Sequence, residues 1–493
     1  MDSLEEINHT LQQLQQLFRD LTVGGLLTAG SDKVNTLKTL HKEFARIGAS
    51  HIAEQLEKLL LAIEHNSQES AVLLMRAQAS VQLFARILSL QYAANSLQED
   101  YLEKATSPLK TNTPDMKLPC KEPALIKLLE DLCHSVEDIV LTGMTTANQA
   151  TCDSLQLAFK EASQIRLLRL GSTLRVAVEE INRFNQGQAE FSAKRLNFFL
   201  NRAWMISHGL KLAVQKKDHH HWNTLNTSPT GVAVAKLDVV TIGVSKKVVK
   251  DAFCVFEFRL RTVTERLVNG NTLAAGTAMI WSTVFPLKKG TEIDPEAFLH
   301  LAQKQKFRPI DLISNKISTF ENIILIGDRP PFRLSLNDES RVLEQEKEKD
   351  KKQRYTKWLS LAEWDRESAY QKAQAHSPSP FELDIELQEE VFLHDWSIIE
   401  KTRNKTDQLL CYSIESGGLY FQAQVALDDK VTQKALVKAS KATDKAILFG
   451  LMHYESCQLV LQVLSLITTA QPVQLMLSNE KKGAASILRS MRF

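Results

Sequence analysis

The chain has 493 residues and a mass of 55.6 kDa, which at roughly 150 residues per domain suggests about three domains. Hydrophobic residues make up 44% and charged residues 24%, the mix of a globular protein that buries cores without disulfide or metal staples. Sixty basic against 58 acidic residues leave a net charge of +2, which selects no partner, and only 18 glycines argue against several glycine-rich phosphate loops.

The opening MDSLEEINHT lacks the basic and apolar regions of a secretory signal. Ser3 and Glu6 fit a capping box. Ile7, Leu11, Leu14, Leu17, Phe18 and Leu21 then recur at helical steps until Gly24-Gly25. Leu37, Leu40, Phe44 and Ile47 mark a second helix; Ile52, Leu56, Leu59, Leu60 and Ile63 mark a third; Val72 to Leu97 is a longer fourth. Short loops between them favour an antiparallel bundle over residues 1–105. Residues 106–123 carry four prolines without periodicity, a linker or ordered loop. Helical patterning returns over 124–217, broken near Gly143, Gly171 and Gly187. Residues 218–231, DHHHWNTLNTSPTG, read as a second linker and the clearest domain boundary.

Beyond it the period changes. Val232–Ile242, Ala252–Leu260, Thr277–Phe285, Asn322–Gly327 and Phe332–Leu336 are short β-branched and aromatic runs, so 232–336 is predicted to be a β module. The charged stretch 337–376, with Glu348/Lys352 and Asp350/Arg354 at i,i+4, is predicted to be a long helix. His376-Ser377-Pro378-Ser379-Pro380 stops it. Residues 380–493 form a second α+β module: strands over Phe381–Leu427 with a hairpin turn at Glu415–Gly418, a helix from Val431 to about Asp444, and extended segments at Ala446–Tyr454 and Val473–Leu477. Leu459–Ile467 fits either state, its leucine spacing slightly favouring helix. The fold class is α+β: an N-terminal all-helical bundle followed by small antiparallel β modules joined by a long charged helix.

Nothing approaches 18 uninterrupted apolar residues, so no bilayer span or membrane partner is expected. The six cysteines, Cys120, Cys133, Cys152, Cys254, Cys411 and Cys457, contain no CxxC or CxC pair. That argues against a ribbon-type zinc site and for isolated, reduced, mostly buried thiols in a cytoplasmic protein. Walker, GxGxxG, HExxH, GxSxG and kinase signatures are all missing; Ser107-Pro108-Leu109-Lys110 matches SxxK but lies in the proline-rich segment. No catalytic residue and no cofactor are assigned.

Four constellations remain. Glu382, Asp384 and Glu386 alternate with apolar residues, so on a strand they would share one side and offer oxygen ligands to Mg²⁺ or Ca²⁺; the commoner meaning is a solvated face that discourages edge pairing. The run His219–His221 offers imidazole ligands to a transition metal, but adjacent side chains diverge, so the expected reading is a solvated linker. Charge is unevenly placed: residues 155–217 hold 11 basic and 4 acidic residues. There Arg166, Arg169, Arg175, Arg183, Lys194, Arg195 and Arg202 interleave with Phe159, Phe184, Phe191, Phe198, Phe199 and Trp204, either a phosphate clamp with stacking rings or an amphipathic helix pair whose aromatics are core. Finally Lys430, Lys434, Lys438, Lys441 and Lys445 step by 4, 4, 3 and 4; on a helix starting near Val431 the last four form one cationic stripe, suited to nucleic-acid phosphates, an acidic partner or, more weakly, anionic lipid, or simply solvated.

The segment Leu40–Leu61, LHKEFARIGASHIAEQLEKLLL, resembles a helix pair of uncharacterised bacterial proteins encoded beside SWIM zinc-finger proteins, often with an AAA-type ATPase. Val391–Asp428 and Ala446–Tyr454 resemble their C-terminal β region. The zinc finger itself, CxC followed by CxH, is absent here. The resemblance implies a companion or assembly role and transfers no catalytic residue. The leading expectation is a non-enzymatic interaction subunit with protein partners; nucleic-acid binding through β modules and basic helices comes second, metal-dependent hydrolysis third.

Overall fold

The computed structural model describes residues 2–97, 122–146, 149–189, 191–226, 231–249, 253–268, 271–287, 294–313, 317–327, 330–344, 361, 364–382, 388–404, 409–442, 446–468 and 472–477. It is α+β, helices first and strand-rich sheets after. The described residues fall into two compact units, one from 1–91, 114–228 and 376–383, the other from the remainder.

The first unit is a helical bundle: α1 (Asp2–Gly24), α2 (Ser31–Arg46), α3 (Ser50–Glu64), α4 (Ser70–Leu97), α5 (Glu122–Thr142), α6 (Gln149–Gln164), α7 (Leu168–Asn185), α8 (Ala193–Lys216) and α9 (His219–Asn226). The apolar stripes meet in one continuous core that includes Leu14, Phe18, Phe44, Leu56, Leu74, Val136, Leu155, Leu174 and Leu200. The helical stretches 1–105 and 124–217 therefore share a core. α1 and α5 cross at their C-termini, where Gly25 and Gly143 adopt φ of +87° and +80°. A Cβ on Gly143 would lie 2.5 Å from the Gly24 carbonyl carbon. This closeness lets Leu26 N donate to Val140 O and Met144 N to Val23 O, so backbone groups left open at two helix ends satisfy each other. By length and composition α4 is apolar enough to cross a membrane, which the sequence reading did not anticipate; Ala71, Leu74, Met75, Ala77 and Val81 sit in the bundle core.

The expected linker at 218–231 contains α9. Asp218 caps it by accepting from His221 N at 2.9 Å, and Trp222 and Leu225, one turn apart, are buried in the core.

The second unit holds two sheets. The first is a closed barrel in the order β1 (Gly231–Val249), β2 (Phe253–Thr262), β5 (Ala278–Pro286), β7 (Phe332–Glu344), β6 (Ser318–Ile326) and back to β1. A short hairpin of β3 (Arg266–Val268) and β4 (Asn271–Leu273) lies outside this ring. β1 is long because it serves two neighbours: Gly231–Val239 pairs with β6 and Val239–Val249 with β2. Its register slips between Thr241 and Gly243. One extra residue reverses the alternation, so Leu237 and Val239 before the slip and Val244 after it all face the barrel core. The interior is filled by aromatics, with Phe258–Trp281 centroids 5.0 Å apart and Phe307 from the loop after β5 5.4 Å from Trp281.

The second sheet runs β8 (Glu389–Leu393), β12 (Ile447–Glu455), β13 (Gln458–Ile467), β11 (Leu419–Ala426), β10 (Leu409–Ser416), β9 (Ser397–Asn404), with β14 (Pro472–Gln474) on β13. β8 and β9 act as two halves of one first strand: β8 pairs with β12, β9 with β10. Between them Asp395 has φ of +46°, and buried Trp396 donates from Nε1 to Ala446 O at 2.8 Å. Counted this way, both sheets have the strand order one-two-three-five-four with four returning to one. In each, strands three and five are the parallel pair, β5 with β7 and β11 with β13. In each, helical structure joins strands three and four: two 3₁₀ turns in the first and α11 (Lys430–Ser440) in the second. This is the Greek-key order of the OB-fold, present twice.

Several expectations are corrected. The modules are not purely antiparallel. Asn337–Glu344 is strand, because β7 continues past Leu336 to pair Arg341 with Glu321 and Glu344 with Ser318; among the described residues before the His376 stop the helix is α10 (Arg366–Ala375), and the charged pairs at 348–354 lie outside the described residues. Leu459–Ile467 is strand β13. Both its faces are buried, so it lacks the polar alternation that would have revealed it.

Candidate binding surface

The closed barrel (barrel one) packs through the outer face of β1 against β8, β12 and β13 of the second sheet, an open sheet of the same strand order termed barrel two below. Val240, Ile242 and Val263 share one apolar cluster with Phe392, Ile447, Phe449, Leu451, Leu464 and Ile467. A Cβ on Gly243 would lie 2.7 Å from the Phe449 ring, so glycine is what lets that ring seat against β1. Ser465 Oγ donates to Ile242 O at 2.7 Å, and Val244 N donates to Gln474 Oε1 at 2.9 Å. Beside this contact lies a buried ion cluster. Glu390, its side chain 7% exposed, accepts from Arg261 and lies 3.5 Å from Arg259; both arginine side chains are 6% exposed. Arg259 also reaches Glu257 at 2.9 Å, and Arg261 stacks over Phe392 at 5.2 Å.

This packing uses the second strand of barrel one but leaves the second and third strands of barrel two open. On β10, Leu410, Tyr412 and Ile414 are buried; on β11, Leu419, Phe421, Ala423 and Val425 are buried. The alternate residues face outward in register: Cys411 with Gln424, Ser413 with Gln422, Glu415 with Tyr420. Tyr420 is 61% exposed.

At one end of that barrel lies α11. Asp429 caps it, accepting from Thr432 N at 3.0 Å. Thr432, Gln433 and Leu436 turn inward, which leaves Lys430, Lys434, Lys438 and Lys441 exposed. Lys441 is the C-cap residue, where a cation also suits the helix dipole. β9, which α11 contacts, adds exposed Lys401 and Arg403. These two sit opposite Tyr412 and Leu410, and Lys401 lies 5.6 Å over the Tyr412 ring. Among the described residues none of these six cations forms an ion pair. Lys445 lies outside the described residues.

The other sequence candidates are placed as follows. Arg166 is exposed in the α6–α7 turn, with φ of +62°. Arg169 lies 5.6 Å over the Phe381 ring. Arg175 and Lys194 are exposed, and Arg202 is buried beside Phe198. Arg183 and Arg195 converge on Glu180, at 2.7 and 2.8 Å, and Ser192 N adds a third donor at 2.8 Å. Phe159, Phe184, Phe191 and Phe199 pack on the bundle core, and Trp204 donates to Glu137 at 2.8 Å. So much of this segment's charge and aromatic surface is engaged within the bundle.

Glu382 accepts from Ser379 N at 3.4 Å, with His376 Nε2 3.0 Å from its carboxylate; Asp384 and Glu386 lie outside the described residues. Among the described residues no three His, Cys, Asp or Glu side chains gather as metal ligands. His219–His221 are exposed on α9. Cys133, Cys152 and Cys254 are buried free thiols, and burial pushes Cys133 up to about 12. Ser107 and Lys110 lie outside the described residues.

Sequence reasoning missed Arg259, Arg261 and Glu390, and it missed Lys401 and Arg403. The alternation Arg259-Leu260-Arg261 in a predicted strand was a signal for two cations on one face, but their shared partner Glu390 lies 129 residues from Arg261, on another strand. No protein-family model matches the chain, and no curated protein matches it.

Proposed function

We propose that this chain is a non-enzymatic binding protein of the cytoplasm, a subunit of a larger bacterial assembly that works by presenting surfaces. The observation that supports this most is the pair of OB-ordered sheets packed back to back, with Tyr420 and Gln424 of β11 and the lysines of α11 exposed among the described residues. OB barrels are frameworks for holding extended polymers, although a framework alone names no ligand. The resemblance of Leu40–Leu61 and of the late β region to companions of SWIM zinc-finger proteins supports the assembly role, and makes a SWIM protein and an AAA-type ATPase the partners to test. Co-expression with such neighbours followed by size exclusion with light scattering is expected to give a complex of summed mass; elution of this chain alone beside every one of them would refute the role.

A second reading has its own support. The uncovered cations of α11 and β9 suit nucleic-acid phosphates, and barrels of this order hold oligonucleotides in many settings. Affinity of the full chain for DNA and RNA oligonucleotides is expected to fall as salt rises; no binding at low salt would remove this reading.

A further inference from the structure

We infer that the nucleic-acid contact is made by barrel two alone, through α11 and β9, with a single strand as ligand, and that Glu390 neutralises the cationic outer face of β2 in barrel one. This rests on the nucleic-acid reading above.

The usual ligand surface of an OB barrel is the outer face of strands two and three. In barrel one that surface has the cations a phosphate would need, Arg259 and Arg261 on β2. Both are already held by Glu390 from barrel two, and neither side chain is more than 6% exposed. A phosphate would have to displace a buried carboxylate and leave it unpaired, a heavy penalty. Barrel one thus carries a cationic strand that its neighbour has neutralised.

Barrel two is the reverse case. Lys430, Lys434, Lys438 and Lys441 project from α11 into solvent. Exposed Lys401 and Arg403 of β9, which α11 contacts, add charge on the sheet side of Leu410 and Tyr412, opposite the side that carries Gln422 and Gln424. Exposed ammonium groups without a carboxylate partner keep their condensed-counterion advantage: phosphate binding releases salt ions and breaks no existing pair. At 1.5 Å per residue the helical lysines span about 17 Å, enough to follow several phosphates of one strand. The single strand is chosen because of what lies beside them. β11 leads from Ala426, near the start of α11, to Tyr420 about 20 Å away. It carries outward Gln424 and Gln422 before the exposed phenol ring. Amides and an open ring suit unstacked bases, which a duplex keeps inside its stack.

The test measures binding of the full chain to a fluorescent single-stranded 20-mer and to its duplex, across salt concentrations. The native chain is expected to favour the single strand. The triple variant Lys434→Glu, Lys438→Glu, Lys441→Glu, at exposed positions, is expected to weaken binding at least tenfold and to make the salt slope shallower by about 2. The triple Lys→Arg variant is expected to retain affinity, which separates charge from helix structure. Lys401→Glu with Arg403→Glu should weaken binding independently, while Glu257→Gln, on barrel one, should leave it unchanged. Native-like binding by the charge-reversed triple variant, or equal preference for the duplex, would overturn the inference while leaving nucleic-acid binding itself standing. Failure of the native chain to bind either ligand would instead remove the reading beneath it.

Discussion

Glu390 shows how one side chain sets the state of two others. Its carboxylate is the shared counter-charge of Arg259 and Arg261, all three nearly buried. Glu390→Ala leaves buried Arg261 without its carboxylate and Arg259 with Glu257 alone, and a loss of roughly 3–5 kcal/mol is expected in denaturant unfolding; Glu390→Gln, which keeps an acceptor, should cost less. His208 carries a pH dependence. Burial, then Lys211 and Arg76, lower its pKa, with Glu137 opposing, while the ring stacks on Trp204 at 5.3 Å. Because the folded value lies below the unfolded value of about 6.5, the unfolded chain takes up the proton first. The contribution is complete above pH 6.5 and is lost as pH falls below it. The urea midpoint should decline from pH 6.5 downward, and His208→Gln should flatten the start of that decline. Neither role was legible in the sequence. A lone histidine on a helix and a glutamate in a β run look like solvated residues until the neighbours that desolvate them are known.

At the scale of elements, the crossing of α1 and α5 depends on glycine more than on apolar periodicity. Gly143→Ala would place a methyl group against the α1 backbone at a residue with φ of +80°. It is expected to cost more than about 2 kcal/mol in thermal or urea unfolding, combining left-handed strain with overpacking. Gly48→Ala pays only the strain, since nothing lies near its Cβ position, and should cost less. The helices themselves were readable: a stripe at three- and four-residue steps marks an element buried on one side. α11 was readable for the same reason, and its lysines face solvent as their spacing predicts. β13 was not, because burial on both faces erases the alternation that distinguishes a strand. The second half of β7 was mistaken for helix because its polar residues, at the barrel rim, mimic a charged helical stretch.

At the scale of the whole molecule, the β half repeats one topology with unequal outcomes. Barrel one is ringed by continuous strands and closes on itself; barrel two divides its first strand at Asp395 and Trp396. The two share the apolar cluster around Phe449, so their stabilities should be coupled. Phe449→Ala is expected to cost about 3–5 kcal/mol, and hydrogen exchange should rise in β1 of barrel one as well as in β12 and β13. Loss of protection confined to barrel two would show that the barrels open independently.

The sequence by itself determined the class, the order of helical and β halves, most element positions, and the cationic stripe of α11, because each follows from local periodicity and turn chemistry. Tertiary structure alone decided that the two β segments repeat one strand order, that Arg259 and Arg261 are neutralised while the lysines of α11 are not, and which sheet faces remain open. Those outcomes depend on pairing between strands far apart in the chain, and on which charges the packing removes from water. Neither leaves a periodic trace in the residues that take part.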